Sequence, residues 1–462
     1  MQSISPVKLT IARTAGTLSR AAGRGGGTTL PGKLLLKLQD DAIARLASRL
    51  KRGSVVISAT NGKTTTASLI AGILDSAGIS AVHNYAGANM AGGVATALLD
   101  ASENGGINGE LGLFEVDEAW TATLVEQLDP RVLLLANLFR DQLDRYGELE
   151  TLADTWRAVV AKLSPDAVAV INADDPLLAG IGEAHSNTLF FGLEDTRNAE
   201  AAPRHAADSK FCRNCGAPLA YEAVQVGHLG KYHCPNCDFA RPVPQVAATR
   251  IELDGMNGSA VTISTPDGEV SLKLPIPGLY NVYNAVAATA AAHALGLPAE
   301  SIQKGLEAAK AVFGRVETLE IKGKPVALLL IKNPTGANEV LRTITGQDER
   351  FDLWIALNDN IADGRDISWV WDADFEMLAG NVKEVTCSGT RAEEMALRLA
   401  YAGVPREAIK IDNAIERSFD AAVDDAKASD TTLFALPTYT SLLELRSAIA
   451  RRGEAADYWE NR

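Results

Sequence analysis

One segment constrains the fold of this chain more than any other: an apolar run, a glycine turn and a helix in succession. Residues 55–57 (Val-Val-Ile) predict a buried strand, and residues 67–74 predict the helix that follows. Between them lies the sequence Ser-Ala-Thr-Asn-Gly-Lys-Thr-Thr-Thr of residues 58–66. Such a turn binds a triphosphate, because free backbone N–H groups and the helix dipole both favour an anion at the helix N-terminus.

Within this turn, Lys63 is placed to contact the β- and γ-phosphates, and the Thr64 hydroxyl is placed to ligate Mg²⁺. The general P-loop pattern also requires a glycine five residues before Gly62, where this chain has Ile57. The match is therefore partial, and an ordinary strand-to-helix turn is the alternative.

Composition sets the class of protein. The chain has 462 residues, which predicts two or three domains, and 47% hydrophobic with 22% charged residues is typical of a globular protein. A net charge of −14 argues against nonspecific binding to nucleic acid or to an anionic membrane. The sequence has no apolar run of the roughly 20 residues that span a bilayer and no secretory signal, and its cysteines are few and patterned. We expect a cytoplasmic protein.

Three further apolar runs, at residues 111–116, 131–136 and 167–171, alternate with helical stretches. This alternation predicts a parallel sheet with helices on both faces, and ligands of such sheets bind at the carboxyl ends of the strands. Glu115 and Asp117 end the first run and are candidate magnesium ligands; surface acids are the alternative.

Four cysteines form two C-x-x-C pairs, a pattern typical of a four-thiolate zinc site. With four sulfur ligands no position remains for a substrate water, so the sequence predicts a structural Zn²⁺. A redox pair or disulfides are the alternatives. The predicted ligands are Cys212, Cys215, Cys234 and Cys237.

These features predict an α/β architecture in three parts: an N-terminal segment (1–50), a central P-loop ATP-binding domain (51–318) with an inserted zinc ribbon (205–242), and a Rossmann-like C-terminal domain (319–462). The glycine-rich residues 23–32 predict a linker or a ligand-binding loop, and residues 34–50 have helical apolar spacing. Residues 250–274 predict antiparallel strands. The segment 358–376 is dense in acidic and aromatic residues, which suits a partner interface or the rim of an active site.

Taken together, the motifs resemble the Mur ligase superfamily of ATP-dependent amide-bond-forming enzymes. The resemblance covers residue 50 to the C-terminus and depends on five motifs: residues 60–65, Glu115, Asn137 with 141–147, 172–175, and Asn281 with Asn284. Within the superfamily, the cysteine insert, residues 332–336 and residues 363–372 are most similar to the MurT family of lipid II isoglutaminyl synthase subunits.

The resemblance implies a set of ATP- and Mg²⁺-binding residues: Thr60, Asn61, Gly62, Lys63, Thr64, Thr65, Glu115, Asn137, Asn281, Asn284 and Arg315. It also implies a reaction, in which ATP phosphorylates the D-isoglutamate α-carboxylate of the lipid II stem peptide and ammonia then displaces phosphate to give D-isoglutamine.

The ammonia must have a source, and the sequence has no nucleophile elbow or paired Cys and His of a glutaminase. The resemblance implies a separate class-I glutaminase subunit of the GatD type, whose catalytic histidine is oriented by an acid from this chain. Asp372 is the first candidate for that acid, followed by Asp366 and Asp363.

The chain departs from the superfamily at three positions. Gln142 and Tyr280 stand where histidines are usual, and the helix at 151–161 has Arg157 but none of the lysine that is carbamylated in other members. The residues of the second magnesium site are therefore not carried over. Only about fifty residues precede the P-loop, which fits a lipid-linked substrate better than a soluble UDP-linked one.

Two other functions fit parts of the sequence. One is a stand-alone amino-acid ligase of the folylpolyglutamate type, which would act without a partner. The other is a zinc-ribbon ATPase that binds nucleic acid, but residues 205–242 carry too little positive charge to follow a phosphate backbone. We expect no nucleic-acid partner.

Overall fold

The computed structural model describes residues 4–21, 29–84, 87–103, 105–141, 149–203, 207–310, 315–346, 349–428 and 430–454. The side chains of residues 19–21, 315 and 316 are also outside the description. The glycine-rich residues 23–28 and the segment 142–148, which includes Gln142, therefore lie outside the described residues.

A nine-stranded sheet forms the larger body of the described chain, in the order β13-β12-β11-β8-β7-β6-β1-β5-β2. Neighbouring strands from β11 through β8 to β2 are parallel. At the other end of the sheet, β11 pairs antiparallel with β12 and β12 with β13, as the pattern at 250–274 predicted. The strands are β1 (Ser54–Ser58), β2 (Ala81–His83), β5 (Leu111–Glu115), β6 (Val132–Leu135), β7 (Val168–Asn172), β8 (Thr188–Leu193), β11 (Val246–Leu253), β12 (Ser259–Thr265) and β13 (Gly268–Leu274). A small ribbon pairs β3 (Ser102–Glu103) with β4 (Gly106–Ile107).

Helices cover both faces of this sheet, because successive side chains of a strand point to opposite faces. Val55 and Ile57 of β1 belong to one apolar cluster, and Val56 between them belongs to the other. The helices of this body are α1 (Pro6–Ala21), α2 (Leu30–Leu38), α3 (Ala42–Ala47), α4 (Lys63–Ser76), α5 (Ala91–Ala101), α6 (Thr121–Leu128), α7 (Leu149–Val160), α8 (Pro176–Gly182), α9 (Leu279–Ala294) and α10 (Ala299–Glu307).

A second sheet of six strands forms the C-terminal body, in the order β14-β15-β19-β16-β17-β18. β14 pairs antiparallel with β15, and the other neighbours are parallel. Its elements are β14 (Arg315–Ile321), β15 (Lys324–Leu329), α11 (Pro334–Thr345), β16 (Phe351–Ala356), β17 (Val382–Ser388), α12 (Ala392–Tyr401), β18 (Ile409–Ile411), α13 (Ile415–Ala428), β19 (Leu433–Pro437) and α14 (Tyr439–Arg451).

Between β8 and β11 the chain forms a hairpin of β9 (Ala220–Val226) and β10 (Leu229–His233), which we call the insert hairpin. One pair of cysteines precedes β9 and the other follows β10. The hairpin lies against the end of the large sheet, where the Gly230 N–H donates to the Asp174 carbonyl at 2.9 Å and the Tyr232 hydroxyl to the Ala173 carbonyl at 3.1 Å.

The N-terminal segment differs from the expectation. The predicted helix at 34–50 is two helices, α2 and α3, because Gln39 has an extended backbone and the chain restarts at Asp41. The Asp41 carboxylate then pairs with Arg45 one turn later, at 2.7 Å. Helix α1 at residues 6–21, which packs on α2, was not predicted from the sequence. None of the described helices is long and apolar enough to cross a membrane.

Candidate functional site

The glycine turn lies between the carboxyl end of β1 and the start of α4. Gly62 adopts a left-handed backbone, with φ of 87°, directly before α4. A Cβ atom at this position would lie 2.2 Å from the Asn284 Oδ1, so only glycine fits. Asn284 accepts from the Thr66 hydroxyl at 3.2 Å and donates to the Asn281 Oδ1 at 3.0 Å. The start of α9 is thus packed against the turn.

The other side of the turn is fixed to the end of β6. The Asn61 N–H donates to the Asn137 side-chain oxygen, and the Asn137 amide returns a hydrogen bond to the Asn61 carbonyl, both at 2.9 Å. The Thr60 hydroxyl accepts from the Phe139 N–H at 3.0 Å. These reciprocal bonds hold the turn in one shape, with backbone N–H groups at the start of α4.

The Lys63 side chain of the turn reaches a buried carboxylate. Its ammonium lies 2.7 Å from the Glu118 Oε2 and also donates to the Ala59 carbonyl. Burial alone would raise the pKa of Glu118, but the Lys63 and Lys332 ammonium groups hold that pKa below its usual value. The Lys63 side chain is therefore held at the turn by a buried carboxylate.

The Glu115 carboxylate lies beside the turn, next to the Thr64 hydroxyl. The Thr64 hydroxyl donates to its Oε2 at 2.8 Å, whereas its Oε1 is buried without a hydrogen-bond partner among the described residues. His83 lies 3.7 Å from that Oε1. An unpaired buried carboxylate oxygen next to a hydroxyl is a fitting donor set for a divalent cation. Asp117, by contrast, accepts from the Ala119 N–H at 3.2 Å and caps a short 3₁₀ turn.

A cavity opens beside the turn and reaches the C-terminal body. Polar groups of the turn line part of it, and apolar side chains from five other segments line most of the rest. The lining residues are Asn61, Gly62, Thr65, Asn137, Phe139, Val226, Leu229, Tyr280, Tyr283, Asn284, Leu329, Leu330, Lys332, Thr335, Gly336, Glu339 and Val340. A ligand with an anionic end and a flat apolar end fits this lining, with the anionic end at the polar groups of the turn and the flat end at the apolar side chains.

A second, smaller cleft lies between the two bodies. The acidic and aromatic segment 358–376, which we call the acidic loop, forms one of its walls. Arg140, Asp141 and Lys332 line the cleft together with the three candidate acids Asp363, Asp366 and Asp372. The Lys332 ammonium contacts the Asp141 carboxylate at 2.5 Å and donates to the Thr60 carbonyl at 3.4 Å. Lys332 thus joins the glycine turn to Asp141 in the cleft that the acidic loop also lines.

The three candidate acids have different surroundings. Asp363 is buried and accepts from the Thr440 N–H at 2.7 Å, in the first turn of α14, and burial raises its pKa. Asp366 is exposed, and the Ser368 N–H lowers its pKa by donating to it at 2.8 Å. Asp372 lies 3.4 Å from Arg140 across the cleft.

The four patterned cysteines form one cluster, in which all Sγ atoms lie within 4.8 Å of one another. Cys212 is 3.6 Å from Cys237, and Cys215 is 3.4 Å from Cys234, so no disulfide is formed. Sulfur atoms around a tetrahedral metal with bonds of about 2.3 Å lie about 3.8 Å apart, so the cluster fits a metal ion. Among the four thiols, the Ala217 N–H lowers the pKa of Cys215 to about 6, whereas the pKa of its neighbour Cys237 is raised to about 12.

The structure therefore brings most of the predicted nucleotide residues to one place, from Thr60 to Thr65 with Glu115, Asn137, Asn281 and Asn284. Arg315 begins β14, but its side chain lies outside the described residues. The contacts of Glu118 and Arg140 were not predicted from the sequence. The acidic run at 115–118 was a signal for Glu118, whereas Arg140 contacts Asp208 and Asp372, which are both distant from it in the sequence.

Comparison with known proteins places the chain in a family. Residues 57–241 match the Mur ligase middle domain, and residues 330–442 match the MurT ligase C-terminal domain. The subunit MurT of lipid II isoglutaminyl synthase from Streptococcus pneumoniae is 35% identical over 94% of this chain and 97% of the relative. The corresponding Staphylococcus aureus (strain N315) subunit is 32% identical over 96% and 97%.

Solved structures agree on the fold. A pseudomurein peptide ligase type C from Methanothermus fervidus superposes with a TM-score of 0.67 at 22% identity, covering 88% of this chain and 80% of that one. The family matches and the fold together define an ATP-dependent ligase of the Mur type. Within that class, the chain belongs to the MurT family.

Proposed function

We propose that this chain is the synthetase subunit of an enzyme that amidates the stem peptide of lipid II. In this reaction the D-isoglutamate α-carboxylate becomes D-isoglutamine through an acyl phosphate, and ammonia is the nucleophile. The observation that carries the proposal is the 35% identity over 94% of the chain to a subunit that is named for this synthase. A near-full-length match supports a shared reaction more strongly than a shared domain does.

Lys63 and the N–H groups at the start of α4 are proposed to bind the phosphates of ATP. When ATP is bound, the Lys63 ammonium leaves Glu118 and contacts the phosphoryl group that is transferred. It stabilises the negative charge that spreads over this group in the transition state. Thr64 and Glu115 would hold Mg²⁺, which neutralises phosphate charge when it is bound. Thr60, Asn61, Thr65, Asn137, Asn281 and Asn284 shape this site, and Arg315 is retained as a proposed member.

Lys332 and Arg140 are proposed to bind the substrate carboxylate and the acyl phosphate made from it. Both cations line the cleft between the two bodies, beside the phosphate-binding turn. An acyl phosphate is a strong electrophile, so no covalent link to the enzyme is needed before ammonia attacks.

The cysteine cluster is proposed to hold a structural Zn²⁺ within a ribbon at 205–242. Four thiolates complete a tetrahedral shell, which leaves the metal no role in the chemistry. The three-part domain division, with boundaries at residues 50 and 318, is also part of the proposal.

The ammonia is proposed to come from a GatD-type class-I glutaminase that binds this chain. The family name describes a subunit of a glutamine-hydrolysing synthase, which supports a partner of this kind. Asp372, Asp366 and Asp363 are the proposed donors of the acid that orients the partner's catalytic histidine. Asp366 is the most exposed of the three, and Asp372 faces Arg140.

Trapping of the acyl phosphate tests the reaction. The chain is incubated with ATP, Mg²⁺ and lipid II, and hydroxylamine replaces ammonia. We expect a hydroxamate at the D-isoglutamate α-carboxylate, detected by mass spectrometry, and its loss in Lys63→Ala. ATP turnover that needs an added amino acid, with no hydroxamate on lipid II, would instead favour the stand-alone ligase.

A further inference from the structure

The insert hairpin reaches into the cavity beside the glycine turn. Val226 ends β9 and Leu229 begins β10, and both side chains line the cavity that Asn61, Gly62 and Thr65 also line. Both are almost fully buried, with 4% and 2% of their surface exposed. They belong to the same apolar cluster as the strands of the large sheet. The tip of the hairpin is therefore part of the cavity wall and not a separate surface module.

The turn between these two residues is fitted closely to its surroundings. Gly227 has a φ of 61°, and a Cβ there would lie 2.9 Å from the Phe139 ring and 3.3 Å from the Thr335 methyl. His228 is fully buried and its ring lies 4.8 Å from that of Phe139. The tip is thus held between the end of β6 and the start of α11.

Polar contacts fix the same hairpin to both bodies. Arg342 of α11 donates to the Gln225 carbonyl at 3.0 Å, and the Gln225 amide donates to the Asp195 carbonyl at 2.7 Å. The base of the hairpin leads directly into Cys234 of the cysteine cluster. The position of Val226 and Leu229 is therefore set at the tip by packing and at the base by the cluster.

We infer that the insert hairpin forms the wall that binds the base of the nucleotide, with Val226 and Leu229 as positioning residues. This inference rests on the proposed ATP site. The glycine turn offers the polar groups that suit phosphates, whereas the hairpin offers aliphatic surface, which suits the face of a purine. The insert then has a role in nucleotide affinity as well as in folding.

Calorimetric titration with two ligands tests the inference. ATP has phosphates and a base, whereas inorganic tripolyphosphate has phosphates alone; both are titrated with Mg²⁺. Leu229→Ala removes apolar contact, and we expect ATP to bind roughly tenfold more weakly while tripolyphosphate binding is unchanged. Val226→Phe fills the cavity, and the same selective loss is expected.

Glu222→Ala is the matched control, because Glu222 lies on the exposed side of the same hairpin. It should bind both ligands as the parent does. Unchanged ATP affinity in both Leu229→Ala and Val226→Phe would overturn the inference, and so would an equal loss of both ligands. Failure of the parent chain itself to bind ATP would instead refute the proposed function.

Discussion

At the scale of single residues, the glycine turn depends on a pair of opposite charges that are almost fully buried. The Lys63 and Glu118 side chains are 10% and 5% exposed, so each neutralises a charge that the interior would otherwise disfavour. The same pairing holds the Lys63 side chain at the turn, where we propose that it binds phosphate.

Lys63→Ala should therefore affect both activity and stability. We expect ATP turnover to fall at least roughly 10²-fold, because the lysine stabilises charge in the transition state. We also expect a loss of stability on the order of 3 kcal/mol, since Glu118 remains buried without its cation. Urea unfolding and an ATPase assay measure the two effects.

Adding Glu118→Ala to Lys63→Ala should recover part of the stability but none of the activity. Lys51→Ala, at an exposed lysine three residues before β1, is the control and should change neither. A Lys63→Ala protein with full activity would refute the phosphate-binding role of this residue.

A second residue gives a dependence of stability on pH. Burial disfavours a charged His228, but the Asp175 carboxylate 3.2 Å away is strong enough to raise the pKa of His228 above its ordinary value. A raised pKa adds stability that is fully present below the unfolded-state pKa of about 6.5 and is lost as pH rises through the folded-state pKa.

We predict that the free energy of unfolding of the parent falls as pH rises from about 6.5 through the folded-state pKa of His228. The substitution His228→Gln should reduce this fall. Urea titrations at a series of pH values, followed by circular dichroism, measure both slopes. Identical slopes in the parent and the variant would show that the His228–Asp175 pair does not titrate in this way.

The residue scale also shows what the sequence could predict. Lys63 and Thr64 were predictable from a short motif, and Glu115 from its position at the end of a strand. The pairing of Lys63 with Glu118 was not predicted, although the acidic run at 115–118 was a signal, because Glu118 reaches the lysine from a 3₁₀ turn 55 residues away in the sequence. Pairs that form between distant segments leave no periodic trace in a single sequence.

At the scale of elements, the apolar runs predicted the strands β1, β5, β6 and β7 of the large sheet well, because buried parallel strands are almost continuously apolar. The prediction of one continuous helix at 34–50 was wrong. The apolar spacing continues through residues 39–41, but the helical backbone is interrupted there. The four cysteines predicted their own cluster, but nothing in the sequence indicated that the hairpin between them lines the large cavity.

The cysteine cluster should support both the hairpin and the cavity. Cys215→Ser and Cys234→Ser are expected to lower metal content and melting temperature together, because binding free energy of a structural metal is folding free energy. Asn214→Ala, in the same exposed turn, is the control. Metal analysis and thermal melts test this, and a metal-free parent of equal stability would contradict it.

At the scale of the whole molecule, the two bodies meet around the glycine turn. Asn61 and Asn333 exchange hydrogen bonds across this contact, with the Asn333 amide donating to the Asn61 oxygen at 3.0 Å. Lys332 beside it joins the turn to the cleft that the acidic loop lines. Chemistry at the phosphates and delivery of ammonia at the loop are therefore expected to occur in adjoining spaces.

The acidic loop allows these two tasks to be separated. Asp372→Asn, the first candidate, should reduce glutamine-dependent amidation by the two-subunit complex by roughly 10²–10⁴-fold and leave ammonium-dependent amidation nearly intact. Asp366→Asn and Asp363→Asn are assayed in parallel, with a melting curve for Asp363→Asn because its carboxylate is bonded to α14. Equal loss with both nitrogen sources would place the residue in the ligase site.

The most direct test of the whole account is amidation of lipid II by the purified chain with each nitrogen source. With ATP, Mg²⁺ and ammonium chloride, the chain alone should convert D-isoglutamate to D-isoglutamine, as read by mass spectrometry of the stem peptide. With glutamine in place of ammonium, it should form product only when the glutaminase subunit is added. Product from glutamine without that subunit, or no product from ammonium, would contradict the account.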